Sequence, residues 1–208
     1  MEQEQIDNIV KVVRQFGDWC SSEKTTDLVN IVSEIGDGAK IAELGVFRGQ
    51  SAFSIALAMK ALKHEYSELF AIDPWSTEAC LEGVSDEVNN EWWKSVNMNA
   101  IYKEFTGAIT VLEVDGFVET MRMKSEEAAD KIVVLLDAVH IDGNHSEEKS
   151  VQDVELWLPK VKQGGYIIMD DINWVHTQKA VKLINKSCKK IKIGTPEQGS
   201  HYGIYKKK

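Results

Sequence analysis

The strongest constraint on this chain is an alternation. Short apolar runs of strand length take turns with longer segments whose apolar residues recur at helical spacing. The runs are "KIAELGVF", "ELFAID", "ITVLEV", "KIVVLLDAVHID" and "GGYIIMDD". Between them lie "SAFSIALAMKALK", "NNEWWKSVNMNAIYKEF", "VETMRMKSEEAA" and "SEEKSVQDVELWLPKVK", the last with Val151, Val154, Leu158 and Val161 on one face. "HTQKAVKLINKSCKK" predicts a final helix, and "KIKIG" with "HYGIYK" predicts two closing strands joined by a glycine-containing turn. Strands alternating with helices require right-handed crossovers and a mostly parallel sheet covered on both faces. The expected fold class is therefore α/β, doubly wound.

Ahead of the first run, "IDNIVKVVRQF" and "SSEKTTDLVNIVSEI" read as two short helices. The second opens on serines fit to cap it and continues with Leu28, Ile31, Val32 and Ile35. The chain is expected to form a single domain over 1–208, with a helical cap over 1–37 and a catalytic core over 38–208.

A length of 208 residues suits one domain with a sizeable core. The 43% apolar and 27% charged content is that of an ordinary soluble protein. "MEQEQIDN" is acidic and polar, unlike a secretory or transit signal. The apolar runs are too short and too interrupted to span a bilayer. Cys20, Cys80 and Cys188 are odd in number, far apart and form no C-x-x-C pair. They read as reduced thiols of a cytoplasmic protein. A net charge of −9 argues against a partner held through nucleic-acid phosphates. The terminal "YKKK" reads as a solvated tail.

Ligands of a doubly wound sheet bind at the carboxyl ends of the strands. There the first run ends in "AELGVFRGQS", where Gly45 and Gly49 permit a tight turn and close backbone approach, and Ser51 begins the next helix. The spacing departs from the dinucleotide fingerprint G-x-G-x-x-G, and a plain tight turn is the alternative. The second run ends in Asp73, an acid able to accept both ribose hydroxyls of a nucleoside. Trp75 follows closely and, by position, flanks the adenosine. The third run predicts Asp115, Gly116 and Phe117 at its end, an acid, a small residue and an aromatic beside which an adenine could lie; Asp115 capping a turn is the alternative. The fourth ends in Asp142, and the fifth in Asp170 and Asp171.

These motifs resemble the class I S-adenosylmethionine (SAM)-dependent methyltransferases. Within them the chain resembles bacterial O-methyltransferases related to the macrolide-sugar (macrocin and mycinamicin) enzymes, and more distantly catechol O-methyltransferase. The resemblance runs from "GDWCSSEKTTDL" through "AELGVFRGQS", "AIDPWS" and "WWKSVNMNAIYKEF" to "HIDGNHSEEKSVQDVELWLPKVKQGGYIIMDD" and the closing strands. It implies a Rossmann-like seven-stranded sheet whose last strand runs antiparallel. It places Glu43 and Gly45 beside the methionine part of the cofactor and Asp73 on the ribose, with Asp142 at the reacting end. The macrolide-sugar enzymes carry a further N-terminal domain that this sequence does not match, so assembly, including homo-oligomerisation, is not read from the resemblance. An NAD-dependent oxidoreductase fits less well, because the glycine spacing is wrong and acids at the fourth and fifth strands have no part in hydride transfer. A non-catalytic nucleotide-binding module is the other alternative.

Asp142, Asp170 and Asp171 end consecutive strands, and three anions in one cleft repel unless a cation joins them. Oxygen donors without a nearby cysteine suit Mg²⁺ or Mn²⁺. The alternative is that these acids cap loops; the resemblance maps all three onto metal ligands. It also maps His145 onto the catalytic base, with Asp142 beside it, whereas His140 within the strand reads as structural. The expected chemistry is methylation of one hydroxyl of a vicinal pair, on a sugar of a glycan or a small molecule, with a catechol-like phenol as second choice. Trp19 and the segment carrying Trp92 and Trp93 are candidates to cover the site.

Overall fold

The computed structural model describes residues 1–83, 87–195 and 201–208. Helices α1 (Gln3–Val13) and α2 (Ser22–Ile35) come first, followed by β1 (Lys40–Leu44), α3 (Gln50–Ala61) and β2 (Glu68–Ile72). Three helices follow, α4 (Thr77–Cys80), α5 (Glu87–Ser95) and α6 (Met98–Val111). Then come β3 (Val118–Met121), α7 (Ser125–Lys131), β4 (Leu136–Ile141), α8 (Glu147–Trp157), β5 (Val161–Met169), α9 (Gln178–Ser187), β6 (Cys188–Gly194) and β7 (Tyr202–Lys207).

The seven strands form one sheet in the order β3-β2-β1-β4-β5-β7-β6. β7 runs antiparallel to both of its neighbours, and the pairs among β1 to β5 are parallel. The strand order reverses between β1 and β4, the place where a doubly wound sheet opens its ligand crevice. The turn joining β6 and β7, expected to contain glycine, lies mostly outside the described residues.

Each face of the sheet is buried. On one, Ile41, Leu69, Ala71, Ala138 and Ile168 pack with apolar residues of α1, α2, α3 and α6. On the other, Leu44, Ile72, Val139, Ile141, Ile167 and Met169 pack with α7, α8 and α9. Ile6, Ile9 and Val13 of α1 and Leu28, Val29 and Val32 of α2 thus share the core of the sheet. Ser21 caps α2 by accepting from the Lys24 amide, and Ser146 caps α8 by accepting from the Lys149 amide.

The third strand is not where the sequence suggests. "ITVLEV" continues α6 to Val111, because Ile101, Phe105, Ala108 and Ile109 recur at helical spacing and bury one stripe. β3 instead forms from "VETM", inside the stretch expected to be helical, and that helix shrinks to α7. As an edge strand, β3 buries little besides Met121, so its apolar signal is weak. The predicted helix "NNEWWKSVNMNAIYKEF" divides at Asn97, whose side chain caps α6 by accepting from the Ala100 amide. Val161, expected on the α8 face, opens β5.

Candidate active site

The parallel ladder assembles the site. Glu43 pairs with His140, and His140 with Ile168. One step past the strands the Asp142 amide donates to Leu44 O at 2.8 Å, and the Asp170 amide to Ile141 O at 3.0 Å. Side chains alternate along a strand, so Glu43, His140, Asp142 and Asp170 project from the same face of the sheet, the face covered by α2. Asp171 takes the left-handed conformation, φ 52°, which carries it toward His145. Phe47 and Trp75 share that conformation, so three of the five left-handed non-glycine residues among those described border this site.

Two overlapping groups of metal-competent side chains result, His140–Asp142–Asp170 and Asp142–His145–Asp171, each with ligand atoms within 4.8 Å of one another. His145 Nε2 lies 2.5 Å from Asp171 Oδ2 and 3.5 Å from Asp142 Oδ1. Its ring also meets Trp174 at 5.1 Å. His140 is fully buried, its Nδ1 3.7 Å from Glu43 Oε2 and its Nε2 3.8 Å from Asp170 Oδ2. Asp142 is common to both groups, whereas Asp170 and Asp171 fall in different ones, and His140 belongs to the group with Asp170.

The sequence reading missed Lys24. This residue of α2 is 4% exposed and donates to Asp170 Oδ2, with its Nζ also 3.5 Å from Asp142 Oδ2. Lys24, Leu28, Ile31 and Ile35 share one helical stripe, so a lysine on the buried side of α2 was the available signal. Burial alone would lower the ammonium's pKa, but the Asp170 and Asp142 charges outweigh it and hold it above its ordinary value. Burial likewise opposes protonation of His145, yet Asp142 and Asp171 push its pKa up to about 10. His140 is pushed up to about 9, as Asp170 and Glu43 overcome burial and the Lys24 charge. Burial and the neighbouring Asp170 charge raise Asp142, whereas Lys24 and His140 overcome burial to hold Asp170 low.

The glycine turn is built around Asp73. Its Oδ2 accepts from the Val46 and Phe47 amides at 3.0 and 2.9 Å, and its Oδ1 from the Trp75 amide at 2.6 Å. A carboxylate offers about four acceptor positions, so one is left for a ribose hydroxyl rather than two. Gly45, φ 82°, approaches the backbone of Asp142, where an added Cβ would stand 1.9 Å from the carbonyl oxygen. At Gly49 a Cβ would meet the Phe105 ring at 2.4 Å. Both glycines thus make room for protein atoms. Ser51 Oγ donates to Glu43 Oε1 at 2.5 Å and fixes that buried acid.

Two sequence expectations need correction. Asp115, Gly116 and Phe117 precede β3 instead of ending a strand. The Phe117 carbonyl accepts from the Leu69 amide, at the start of β2 and so at the opposite sheet edge from Asp73. They do not line a pocket with Asp73. Trp75 is 1% exposed, stacks on Phe105 at 5.3 Å and donates its indole N–H to Phe47 O. Its left-handed backbone turns the ring inward, so it supports the turn from below.

Above the turn, aromatic rings from three segments meet. Trp19 contacts Phe47 at 5.5 Å and Trp92 at 5.2 Å, and Phe47 contacts Trp93 at 5.7 Å. Gln50, buried at the start of α3, anchors the Trp19 segment. It accepts from the Trp19 and Cys20 amides and donates to Val13 O and Gly17 O. Asn144 ties the other segment down by donating to the carbonyls of Ala79, Cys80 and Glu82. Asn173 accepts from the His201 amide.

Either donor set fits a hard divalent cation in kind: two carboxylates and an imidazole, without thiolates. Asp171 Oδ1 and Glu43 Oε2 are buried without a hydrogen-bond partner, which leaves carboxylate lone pairs for a ligand. No described helix is long and apolar enough to cross a membrane.

A family model described as "Methyltransferase domain" matches residues 42–172. Among solved structures, the O-methyltransferase from Bacillus cereus in complex with SAH is 14% identical, with a TM-score of 0.64 over 100% of this chain and 92% of that one. TomG from Streptomyces achromogenes, an O-methyltransferase involved in tomaymycin synthesis solved with SAM, is 13% identical. Its TM-score is 0.66 over 100% of this chain and 91% of its own. Cofactor-bound Rv0187 from MTB is 11% identical, with a TM-score of 0.67 over 99% and 90%. No curated protein matches the sequence significantly.

Proposed function

The chain belongs to the methyltransferase-domain family, matched over residues 42–172, and from that premise we propose that it is a SAM-dependent O-methyltransferase acting on one hydroxyl of a vicinal pair, assisted by Mg²⁺ or Mn²⁺. The observation that carries this reading is the pair of acid–imidazole groups that share Asp142, one with Asp170 and His140 and the other with Asp171 and His145, beside the glycine turn. The neighbours titled as O-methyltransferases in complex with SAM or SAH support it. So does the net charge of −9, which disfavours a nucleic-acid acceptor.

The sulfonium of SAM already carries a good leaving group, so the protein's tasks are alignment and proton removal. Asp73 accepts a ribose hydroxyl on its remaining lone pair, and Glu43, held by Ser51, borders the methionine end. Alignment of the hydroxyl oxygen with the carbon–sulfur bond can remove roughly 7–11 kcal/mol of the barrier in the best model systems. Asp142, Asp170 and Asp171 would hold the metal. A divalent cation held there would supply positive charge that disfavours the protonated imidazole and favours the deprotonated form of the accepting hydroxyl. His145, in its neutral form, takes the hydroxyl proton at Nε2. The oxygen then takes the methyl group, and the sulfonium becomes the neutral thioether of S-adenosylhomocysteine (SAH). Trp19, Phe47, Trp92 and Trp93 cover the reacting groups and exclude water. The same rings offer apolar faces to a sugar.

The test is transfer of labelled methyl from SAM, with Mg²⁺ present, to a panel of sugars, aliphatic vicinal diols and catechols. Methyl ethers on one hydroxyl of a pair are expected. Failure to bind SAH, or methylation confined to nitrogen acceptors, would overturn the reading.

A further inference from the structure

We propose that Lys24 is a tethered cation that competes with a divalent metal ion for the oxygens of Asp142 and Asp170. The inference rests on the reading that these acids take such an ion. It concerns what occupies their place otherwise.

The acids of the site are already shared between two protein cations. Lys24 Nζ takes the Oδ2 atoms of Asp142 and Asp170 from the α2 side. His145 takes Asp142 Oδ1 and Asp171 Oδ2 from the other side. Asp142 therefore lies between an ammonium and an imidazole, while Asp171 Oδ1 is buried and unpartnered. Lys24 is brought to this cluster from 146 residues away in sequence, by a helix whose apolar residues lock it onto the sheet. A buried ammonium is stable only while paired, and here its partners are acids proposed to hold metal.

A magnesium ion sits about 2.1 Å from its carboxylate oxygens. An ion on Asp142 and Asp170 would thus stand within bonding reach of the atoms that hold Lys24 Nζ, and the two charges repel. One must leave, and the lysine can, because its flexible four-carbon stem carries a readily hydrated point charge. The ammonium keeps the acids together in the metal-free protein, and metal affinity is set by the cost of displacing it.

Binding of Mn²⁺ followed by electron paramagnetic resonance tests this in the wild type, in Lys24→Met, which keeps the stem without the charge, and in Lys24→Gln. Binding about tenfold or more tighter in either folded variant is expected from removal of the competing charge. Equal or weaker binding in both would overturn the competition while leaving the metal site standing. If none of the three proteins bound Mn²⁺ while all still bound SAH, the metal reading would fall, and the competition with it. A wild-type measurement guards against misfolded variants: labelling of the Lys24 amine, read by mass spectrometry. It should be slow without metal and accelerate with Mn²⁺. Labelling unchanged at Mn²⁺ concentrations that saturate the resonance signal would also overturn the competition.

Discussion

Gly45 and Asp142 meet backbone to backbone: the hydrogen of Gly45 that a side chain would replace points at the carbonyl of Asp142, so that a Cβ there would lie 1.9 Å from the oxygen. This contact joins the glycine turn after β1 to the acid loop after β4. Gly45→Ala adds that clash to a left-handed φ of 82°. It should cost about 2–4 kcal/mol of stability, read as a lowered Tm, together with weakened SAH binding. An unchanged melting curve would show that the two turns can separate freely.

Asp73 organises the same turn through three backbone amides. Asp73→Ala removes an acceptor from those amides and from the ribose that the proposed function seats there. A charge-assisted hydrogen bond contributes about 1.5–3 kcal/mol, so calorimetry should find SAH bound roughly 10–100-fold more weakly. Retention of wild-type affinity would move the ribose elsewhere.

His145→Ala tests proton removal separately from donor binding. The kcat should fall by about 10²–10⁴, the usual worth of a placed base, with the Kd for SAH nearly unchanged. If donor affinity collapsed instead, the pairing of His145 with Asp171 would be serving the architecture of the site.

Asp153 gives a pH signature unconnected with turnover. It lies buried under Gly143, accepting from Ser125 Oγ, and burial pushes its carboxyl up from 3.8 to about 6. A carboxyl raised by folding favours the native state while protonated. That contribution is complete below about pH 4 and is lost as pH rises through about 6. The change amounts to at most about 3 kcal/mol. Asp153→Asn should therefore melt close to wild type near pH 4 and above it near pH 7.5. The opposite order would mean that the ionised form is the one stabilised.

Much of this was legible because β1, β2, β4 and β5 are buried on both faces and read as apolar runs ending in Leu44-Gly45, Asp73, Asp142 and Asp170. An edge strand lacks that signal. Glu119 of β3 faces out, while β-branched Ile109, Thr110 and Val111 imitate a strand inside α6. That exchange displaced Asp115, Gly116 and Phe117 to the wrong end of the sheet. Trp75 misled for another reason: nearness to Asp73 in sequence says nothing of a backbone turn that sends the ring inward. Lys24 was hidden because a lysine in the first turn of an amphipathic helix looks solvated until the tertiary contact with Asp170 is known. Gln50 and Asn144 act through backbone groups, which leave no pattern in sequence.

The central claim is that acids from neighbouring strand ends hold a cation that activates the accepting hydroxyl. Its most direct test is the initial rate of SAH formation with a responding vicinal diol, measured with Mg²⁺ and again with excess EDTA. The rate should fall by about 10²-fold or more on chelation, and return when Mg²⁺ is restored. A rate in EDTA equal to that in Mg²⁺ would contradict the account.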